Sequence, residues 1–361
     1  MKKILYLSHS DWNWIKQRPQ FLAEELAKYF NVVFISPHFY HRKDLQNRKY
    51  ESDANIKFYN YYGIPRSKKY LLLRVVNNFI RSIVTLIIAI VEKTDVIYVC
   101  YPDLYCNWMK RFKFQVIYDC MDDHAAMTSK ECVANYIRKK ERQLSLESSS
   151  ILCSSDNLCK KISNKYQIDK KKITVVRNGY QGERIETGSR KFTSSNIEKL
   201  KIGYVGTVSS WFDFEALNNT LEINPKIEYH IIGPIDKSVS QIKHERIIFE
   251  GVVEHEKLYQ RIQNFDALIM PFVVNEIIES VDPVKLYEYI NFYKPIICVY
   301  YDEIKRFEPF VWFYRDYTEL NDAINKVKDS QIKYTKDMMD SFLRDSSWRS
   351  RAEQIKDILG Q

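Results

Sequence analysis

Residues Asp282 to Pro295 read Asp-Pro-Val-Lys-Leu-Tyr-Glu-Tyr-Ile-Asn-Phe-Tyr-Lys-Pro. Pro283 suits the first turn of a helix, and Val284, Leu286, Tyr287 and Ile290 supply an apolar face that would fix that helix against a sheet. The free amides at a helix start can receive a phosphate, and Lys285 adds a mobile cation beside them. Glu288, one turn further on and rigidly held, could accept hydrogen bonds from two vicinal hydroxyls. Phosphate at the helix start and ribose on the acid suit a nucleotide diphosphate. An ordinary amphipathic helix with a surface Glu carries the same pattern.

Other strings offer complementary chemistry. Tyr118-Asp119-Cys120-Met121-Asp122-Asp123-His124 follows a buried-looking strand, and Asp119, Asp122 and His124 could orient a hydroxyl and take its proton. Adjacent aspartates could instead hold Mg²⁺ or Mn²⁺. In Ser10 to Gln20, Trp12 and Trp14 offer flat faces for pyranose rings, with Asp11, Lys16 and Arg18 as polar grips, unless the tryptophans are a buried pair. Gly206 and Thr207 form a strand-ending turn in Ile-Gly-Tyr-Val-Gly-Thr-Val-Ser-Ser-Trp (202–211), where glycine lets the backbone approach a ligand. Gly251 and Val252 in Phe-Glu-Gly-Val-Val, and Pro271 and Phe272 in Met-Pro-Phe, mark two further turns.

The elements that must position these residues recur as short β-branched and aromatic runs alternating with helical segments. Strands are predicted near 3–8, 32–36, 56–60, 96–100, 115–119, 150–153 and 173–176, then near 201–205, 227–232, 246–249, 266–271 and 295–299. Continuous apolar runs such as Val-Ile-Tyr-Val-Cys indicate strands covered on both faces. The expectation is an α/β chain of two Rossmann-like domains, residues 1–182 and 201–345. A polar linker would span 183–200, and a last helix would lie within 346–361.

The 361 residues carry a net charge of +9, and the charge is uneven. Residues 1–190 hold 33 Lys and Arg against 19 Asp and Glu, and the remainder 22 against 27. A front half at +14 suits an anionic membrane surface or lipid diphosphate, or is a basic surface serving solubility. No nucleic-acid module is recognised. The run from Tyr70 to Val91 is apolar but crossed by Arg74 and Arg81, so it is not expected to span a bilayer. It would lie in a membrane interface, with Arg66, Lys68 and Lys69 upstream, or be a buried helix. The seven cysteines, lacking a Cys-x-x-Cys, read as reduced thiols, and polar His9, Ser10 and Asp11 interrupt any signal-peptide core. The expected location is the cytoplasm, peripheral on the inner face of the cell membrane.

The string Pro283, Lys285, Leu286, Tyr287, Glu288, Tyr289, Lys294, Pro295 resembles the donor-binding helix of retaining glycosyltransferases of GT-B architecture, family 4 (group 1), in the teichuronic acid and exopolysaccharide branch. The glycine turn at 206, the loops at 249–253 and 270–272 and Arg177-Asn178-Gly179 follow that family's order. The resemblance implies an active-site cleft between the domains and transfer of a sugar from a nucleotide diphosphate sugar to a glycan or lipid-linked acceptor, in surface polysaccharide synthesis. It also implies front-face chemistry with no covalent nucleophile, no metal and no cofactor. Lys285 with Asp119, Asp122 and His124 would be catalytic. Gly206, Thr207, Gly251, Val252, Pro271, Phe272, Ser280, Pro283, Val284, Lys285, Leu286 and Glu288 would bind donor, and Asp11, Trp12, Trp14, Lys16 and Arg18 the acceptor. Two departures stand out. Ser280 replaces a second family Glu, with Glu279 and Glu276 nearby, and Ser209, Trp211 and Asp213 stand where many members carry an Arg and a Lys for the diphosphate. These departures keep open a non-catalytic nucleotide-sugar-binding partner of an assembly complex. A nucleotide-sugar epimerase on the same scaffold is a further alternative.

Overall fold

The computed structural model describes residues 1–14, 16–38, 55–67, 70–180, 182, 199–236, 239, 244–253, 255–328 and 332–360. Ile15, Lys68, Lys69 and most of the expected linker, 183–198, lie outside the described residues. The chain divides into two units, Met1–Gly179 with Trp348–Gln361, and Tyr180–Ser347.

The first unit is built on seven parallel strands: β1 (Lys3–Leu7), β2 (Asn31–His38), β3 (Ile56–Tyr62), β4 (Val96–Val99), β5 (Gln115–Cys120), β6 (Ser150–Cys153) and β7 (Ile173–Val175). They lie in the order β3-β2-β1-β4-β5-β6-β7. Each coincides with a predicted run, because alternate residues bury on opposite faces. Ile4, Tyr6, Phe34 and Tyr98 enter one core, and Leu5, Leu7, Val33 and Val99 the other. The crossovers include α1 (Arg18–Leu26), α2 (Leu71–Val91), α3 (Trp108–Arg111), α4 (Glu131–Glu147) and α5 (Asp156–Tyr166).

The second unit holds six parallel strands in the order β10-β9-β8-β11-β12-β13. They are β8 (Leu200–Val205), β9 (Ile227–Ile232), β10 (Ile247–Gly251), β11 (Ala267–Met270), β12 (Ile296–Val299) and β13 (Trp312–Tyr314). β13 was not predicted: it is three residues long and is identified as a strand by its register with β12, where Cys298 pairs with Phe313. The helices are α6 (Phe214–Ile223), α7 (His255–Gln263), α8 (Val284–Asn291), α9 (Tyr317–Lys328) and α10 (Lys336–Asp345). A final helix, α11 (Trp348–Ile358), belongs to the first unit, where Trp348 stacks on Phe21 of α1 with ring centroids 5.2 Å apart.

Each sheet reverses its strand order once, at β1/β4 in the first and β8/β11 in the second. In open parallel sheets the crevice for a ligand opens at the carboxyl ends of the strands flanking such a reversal.

Candidate functional site

At the β8/β11 reversal the chain leaves β8 through Gly206, whose φ of +144° is a conformation that L side chains rarely adopt. Lys285 of α8 lies directly over it. A methyl group at position 206 would stand 2.0 Å from Lys285 Cε and 2.7 Å from Nζ. Gly233, with φ +138°, is equally constrained, since a methyl there would stand 2.2 Å from the Gly206 carbonyl oxygen. Backbone bonds join the turns: Gly206 N–H donates to Ile232 O at 2.8 Å and Gly233 N–H to Gly251 O at 2.8 Å. The first three strand ends of this sheet thus form one tight ledge beneath the lysine.

Helix α8 is locked to that ledge. Leu286, Tyr289 and Ile290 are wholly buried, at the i, i+3, i+4 spacing of one helical face. The Tyr289 hydroxyl accepts from Val205 N–H at 2.9 Å, tying the helix to the last residue of β8. Asp282 fixes the approach to the helix: its buried carboxylate accepts from the Tyr287 hydroxyl at 3.1 Å on both oxygens and pairs with Arg306. Arg306 also donates to the Tyr287 hydroxyl at 2.8 Å. Pro283 is the N-cap residue rather than the first helical residue, and no side chain caps the amides that follow.

Lys285 is half-buried, and among the described residues it makes no hydrogen bond or ion pair. Burial holds its pKa below the ordinary lysine value, opposed by the negative field of Glu288. Glu288 is exposed on the same helix, and Tyr180 responds to it: burial first and then Glu288 push that phenol up to about 12. A cation partly stripped of water thus stands in the first turn of a helix whose amides no side chain caps. An anion arriving there would restore the lysine's lost solvation and meet the positive end of the helix dipole.

The remaining donor-side candidates divide. Thr207 and Val252 are exposed, and a methyl group placed on Gly251 would meet nothing within 4 Å, so this edge is open. Phe272 corrects the expectation of a donor-binding side chain: it is 6% exposed and lies 6.2 Å from the Tyr204 ring in the core, while Pro271 is buried and its carbonyl accepts from Asp213 N–H at 3.0 Å. Asp213 caps α6, and Ser209 donates to Asp236 at 3.3 Å, so neither takes up the missing Arg/Lys role. Ser280 is buried in a short 3-10 turn and donates to the Glu276 carbonyl at 3.3 Å, whereas Glu276 and Glu279 are both exposed.

In the first unit the structure gives two candidates to each other. The Arg18 guanidinium donates to Asp119 through Nε at 3.1 Å to each oxygen and through Nη2 at 2.7 Å. Both side chains are buried, Asp119 completely. Arg18 Nη1 also donates to the Arg177 carbonyl at 3.0 Å and Asn178 Oδ1 at 3.3 Å. This pair joins the start of α1 to β5 and to the chain leaving β7. Arg18 as an acceptor grip and Asp119 as a proton acceptor are therefore corrected to a structural ion pair. Trp12 is likewise a core residue, 7% exposed and edge-on to Phe34 and Phe58 at 4.9 and 4.7 Å. Asp11 is buried in a turn, accepting from Asn13 N–H at 2.8 Å, and Lys16 is paired with Glu24. Only Trp14 of that loop keeps a half-buried ring.

What the strand ends do assemble is a cluster around His124. Its ring meets Tyr101, just after β4, at 4.7 Å and His9, just after β1, at 5.6 Å. His124 is buried with no partner for Nε2 among the described residues, and burial followed by the nearby His9 pulls its pKa down to about 3. Half-buried Asp122 is pushed up to about 7, by burial foremost, against the pull of Arg18 and with the push of Asp119 and Asp123. Asp123 is engaged by Lys161 at 3.3 Å. His9 and Tyr101 were missed in the sequence. Their signal was their place, each within two residues of a strand end beside the order reversal.

No protein-family model matches this chain. It is 25% identical over 265 residues to "Putative teichuronic acid biosynthesis glycosyltransferase TuaH" of Bacillus subtilis (strain 168), a match covering 68% of this chain and 67% of that protein. Among solved structures, sucrose-phosphate synthase of Thermosynechococcus elongatus superposes with a TM-score of 0.75 at 13% identity, over 99% of this chain and 98% of that one. Anabaena HepE in complex with UDP-glucose superposes with a TM-score of 0.69 at 13% identity, over 99% of both chains. At such identities the solved structures speak to fold: this chain has the two-sheet α/β architecture of GT-B glycosyltransferases.

Proposed function

We propose that this chain is a glycosyltransferase that takes its sugar from a nucleotide diphosphate donor, with the diphosphate on Lys285 and the start of α8 and the ribose on Glu288. The observation that carries the reading is Lys285 held over Gly206 at the β8/β11 reversal, desolvated and in the first turn of a helix whose amides no side chain caps. The likeness to TuaH and to HepE with UDP-glucose points the same way. In this reading the reaction is retaining and metal-independent, of the family 4 type, and extends a surface polysaccharide on the cytoplasmic face of the membrane. Negative charge grows on the departing diphosphate, and Lys285 with the helix dipole stabilises it in the transition state. Asp122, poised near neutrality, takes the acceptor proton, while His124 stays neutral at physiological pH and positions the hydroxyl.

One observation favours a second reading, a nucleotide-sugar-binding partner without turnover: buried Ser280 places no carboxylate where the family pattern has its second Glu. Calorimetry with a panel of nucleotide sugars, followed by nucleotide release with and without lipid and glycan acceptors, separates the two. Acceptor-dependent release supports transfer, saturable binding without release supports the partner role, and no binding refutes both. Lys285→Ala is expected to lower kcat more than it weakens binding of intact donor. A change confined to KM would assign the lysine to ground-state binding.

A further inference from the structure

A helix packed on the sheet of a water-soluble protein turns its apolar side inward and its polar side out. Helix α2 departs from this: beside buried Ile88 and Ala89, its inner side carries Arg74, Asn78 and Arg81, gathered on Asp103. Both arginines pair with that carboxylate at 3.7 Å, and Asn78 donates to it at 2.8 Å. Buried Thr85 donates back to the Arg81 carbonyl at 2.9 Å. Asn78 also donates to the Tyr136 hydroxyl at 2.7 Å, and the Arg74 guanidinium lies 4.6 Å from the Tyr136 ring. The two arginines that interrupt the apolar run are therefore committed to the protein. Lys68 and Lys69, named with Arg66 upstream of the run, lie outside the described residues.

The outer side is apolar along its whole length. Leu72, Phe79, Ile83, Ile87, Ile90 and Val91 follow one another at helical spacing, and Leu72, Phe79 and Val91 are 76%, 66% and 66% exposed. The 21 residues of α2 include no acid. Their length and composition would suffice to cross a bilayer, but the Asp103 network and the burial of Ile88 and Ala89 in the core hold α2 flat on the sheet.

We propose that the outer face of α2 docks into the interfacial layer of an anionic lipid bilayer. Cations bracket the face: Arg66 is exposed before its amino end and Lys93 after its carboxyl end. Lys93 precedes β4 and Lys113 precedes β5, and these strands pair in parallel from Val96 and Gln115, so exposed Lys110, Arg111, Phe112 and Lys113 extend the same edge. Exposed Tyr62 and Tyr70 stand near the amino end, with ring and hydroxyl suited to the headgroup level. This charge selects the occupant, because a second copy would set cations against cations, whereas anionic headgroups neutralise them. As a crossover helix between parallel strands, α2 has its amino end at the carboxyl edge of the sheet, where His9, Tyr101, Asp122 and His124 lie. A lipid-borne acceptor would reach that edge from the surface, an extension that rests on the proposed transfer reaction; the docking itself does not.

The test is co-sedimentation of the full chain with phosphatidylcholine vesicles and with mixed phosphatidylcholine and phosphatidylglycerol vesicles across a salt series, beside analytical ultracentrifugation without lipid. Binding to the mixed vesicles should exceed binding to the neutral ones and weaken as salt rises. The combined variant Phe79→Ser, Ile83→Ser, Ile87→Ser, made on side chains outside the core, should melt as the parent does and lose at least about tenfold in vesicle affinity. In a second variant, Phe79→Trp, indole fluorescence should shift to the blue with mixed vesicles and be quenched by bromine-labelled lipid. Parent protein that stays in the supernatant with every vesicle overturns the proposal, as does undiminished binding by the serine variant. Lipid-independent dimerisation abolished by that variant, with no vesicle binding, would give the face to a second copy instead. None of these readouts depends on sugar transfer, so failure here leaves the donor assignment intact.

Discussion

Gly206→Ala should act in two separable ways. At φ +144° an alanine pays backbone strain of about 1–3 kcal/mol. Its methyl would also stand 2.0 Å from Lys285 Cε and 2.7 Å from Nζ, an overlap that the flexible end of the lysine relieves cheaply by swinging off the turn. Stability should therefore fall by about 1–3 kcal/mol, the strain alone, in the parent and in a Lys285→Ala background alike. Donor binding should behave differently. In the parent the displaced ammonium loses its contact with the diphosphate, at a cost of about 1 kcal/mol, whereas in a Lys285→Ala background there is no ammonium to displace. The two substitutions are therefore expected to couple in donor affinity by about 1 kcal/mol, beyond the few tenths found for independent sites. Denaturant unfolding and donor calorimetry of the four proteins measure the two effects. Strict additivity in donor affinity would refute the placement of Lys285 on the glycine turn.

Removing one partner of the buried Arg18–Asp119 pair, by Arg18→Ala or Asp119→Ala, should cost about 3–5 kcal/mol of stability by stranding a buried charge; unaltered stability with lost transfer would return both residues to the substrate site. Asp122, with its folded pKa near 7, should impose a limb on kcat/KM that rises with pH through about 7, absent in Asp122→Asn. The same shift has a stability consequence. A carboxyl raised from about 4 in the unfolded chain favours the fold below that value, and the contribution is lost as pH rises through about 7, so the Asn variant should have a flatter stability profile, read by melting across that range. Glu288→Ala should weaken donor binding by about 2–3 kcal/mol, the scale of a charge-assisted bond, while the melting temperature stays that of the parent; an unchanged isotherm would remove the ribose from Glu288.

Among the described residues, twelve of thirteen strands were legible, most of them because strands buried on both faces are written as continuous apolar runs; Trp312–Tyr314, as short as the predicted Ile173–Val175, emerges only from its register with β12. Helix α8 was legible from the spacing of Val284, Leu286, Tyr287 and Ile290, of which the last three are wholly buried, but the buried Tyr289 that ties it to β8 was not read as part of that face. What escaped were contacts between distant parts of the chain. Arg18 and Asp119 are 101 residues apart, and each alone looks like a polar group waiting for a ligand. Trp12 looked like a platform because nothing local says that Phe34 and Phe58 enclose it. Arg306 went unnoticed although it pairs with Asp282, which fixes the loop into α8. His9 and Tyr101 become visible only when β1 and β4 are set side by side, which is a property of topology rather than of spacing.

A crystal structure with bound donor would show directly whether the diphosphate of a nucleotide sugar sits on Lys285 and the start of α8. Phosphate oxygens are expected within hydrogen-bond distance of Lys285 Nζ and the first amides of α8, with the backbone of Gly206 beneath them and the ribose hydroxyls on Glu288. A donor bound with its diphosphate elsewhere, leaving Lys285 and those amides untouched, would contradict that placement.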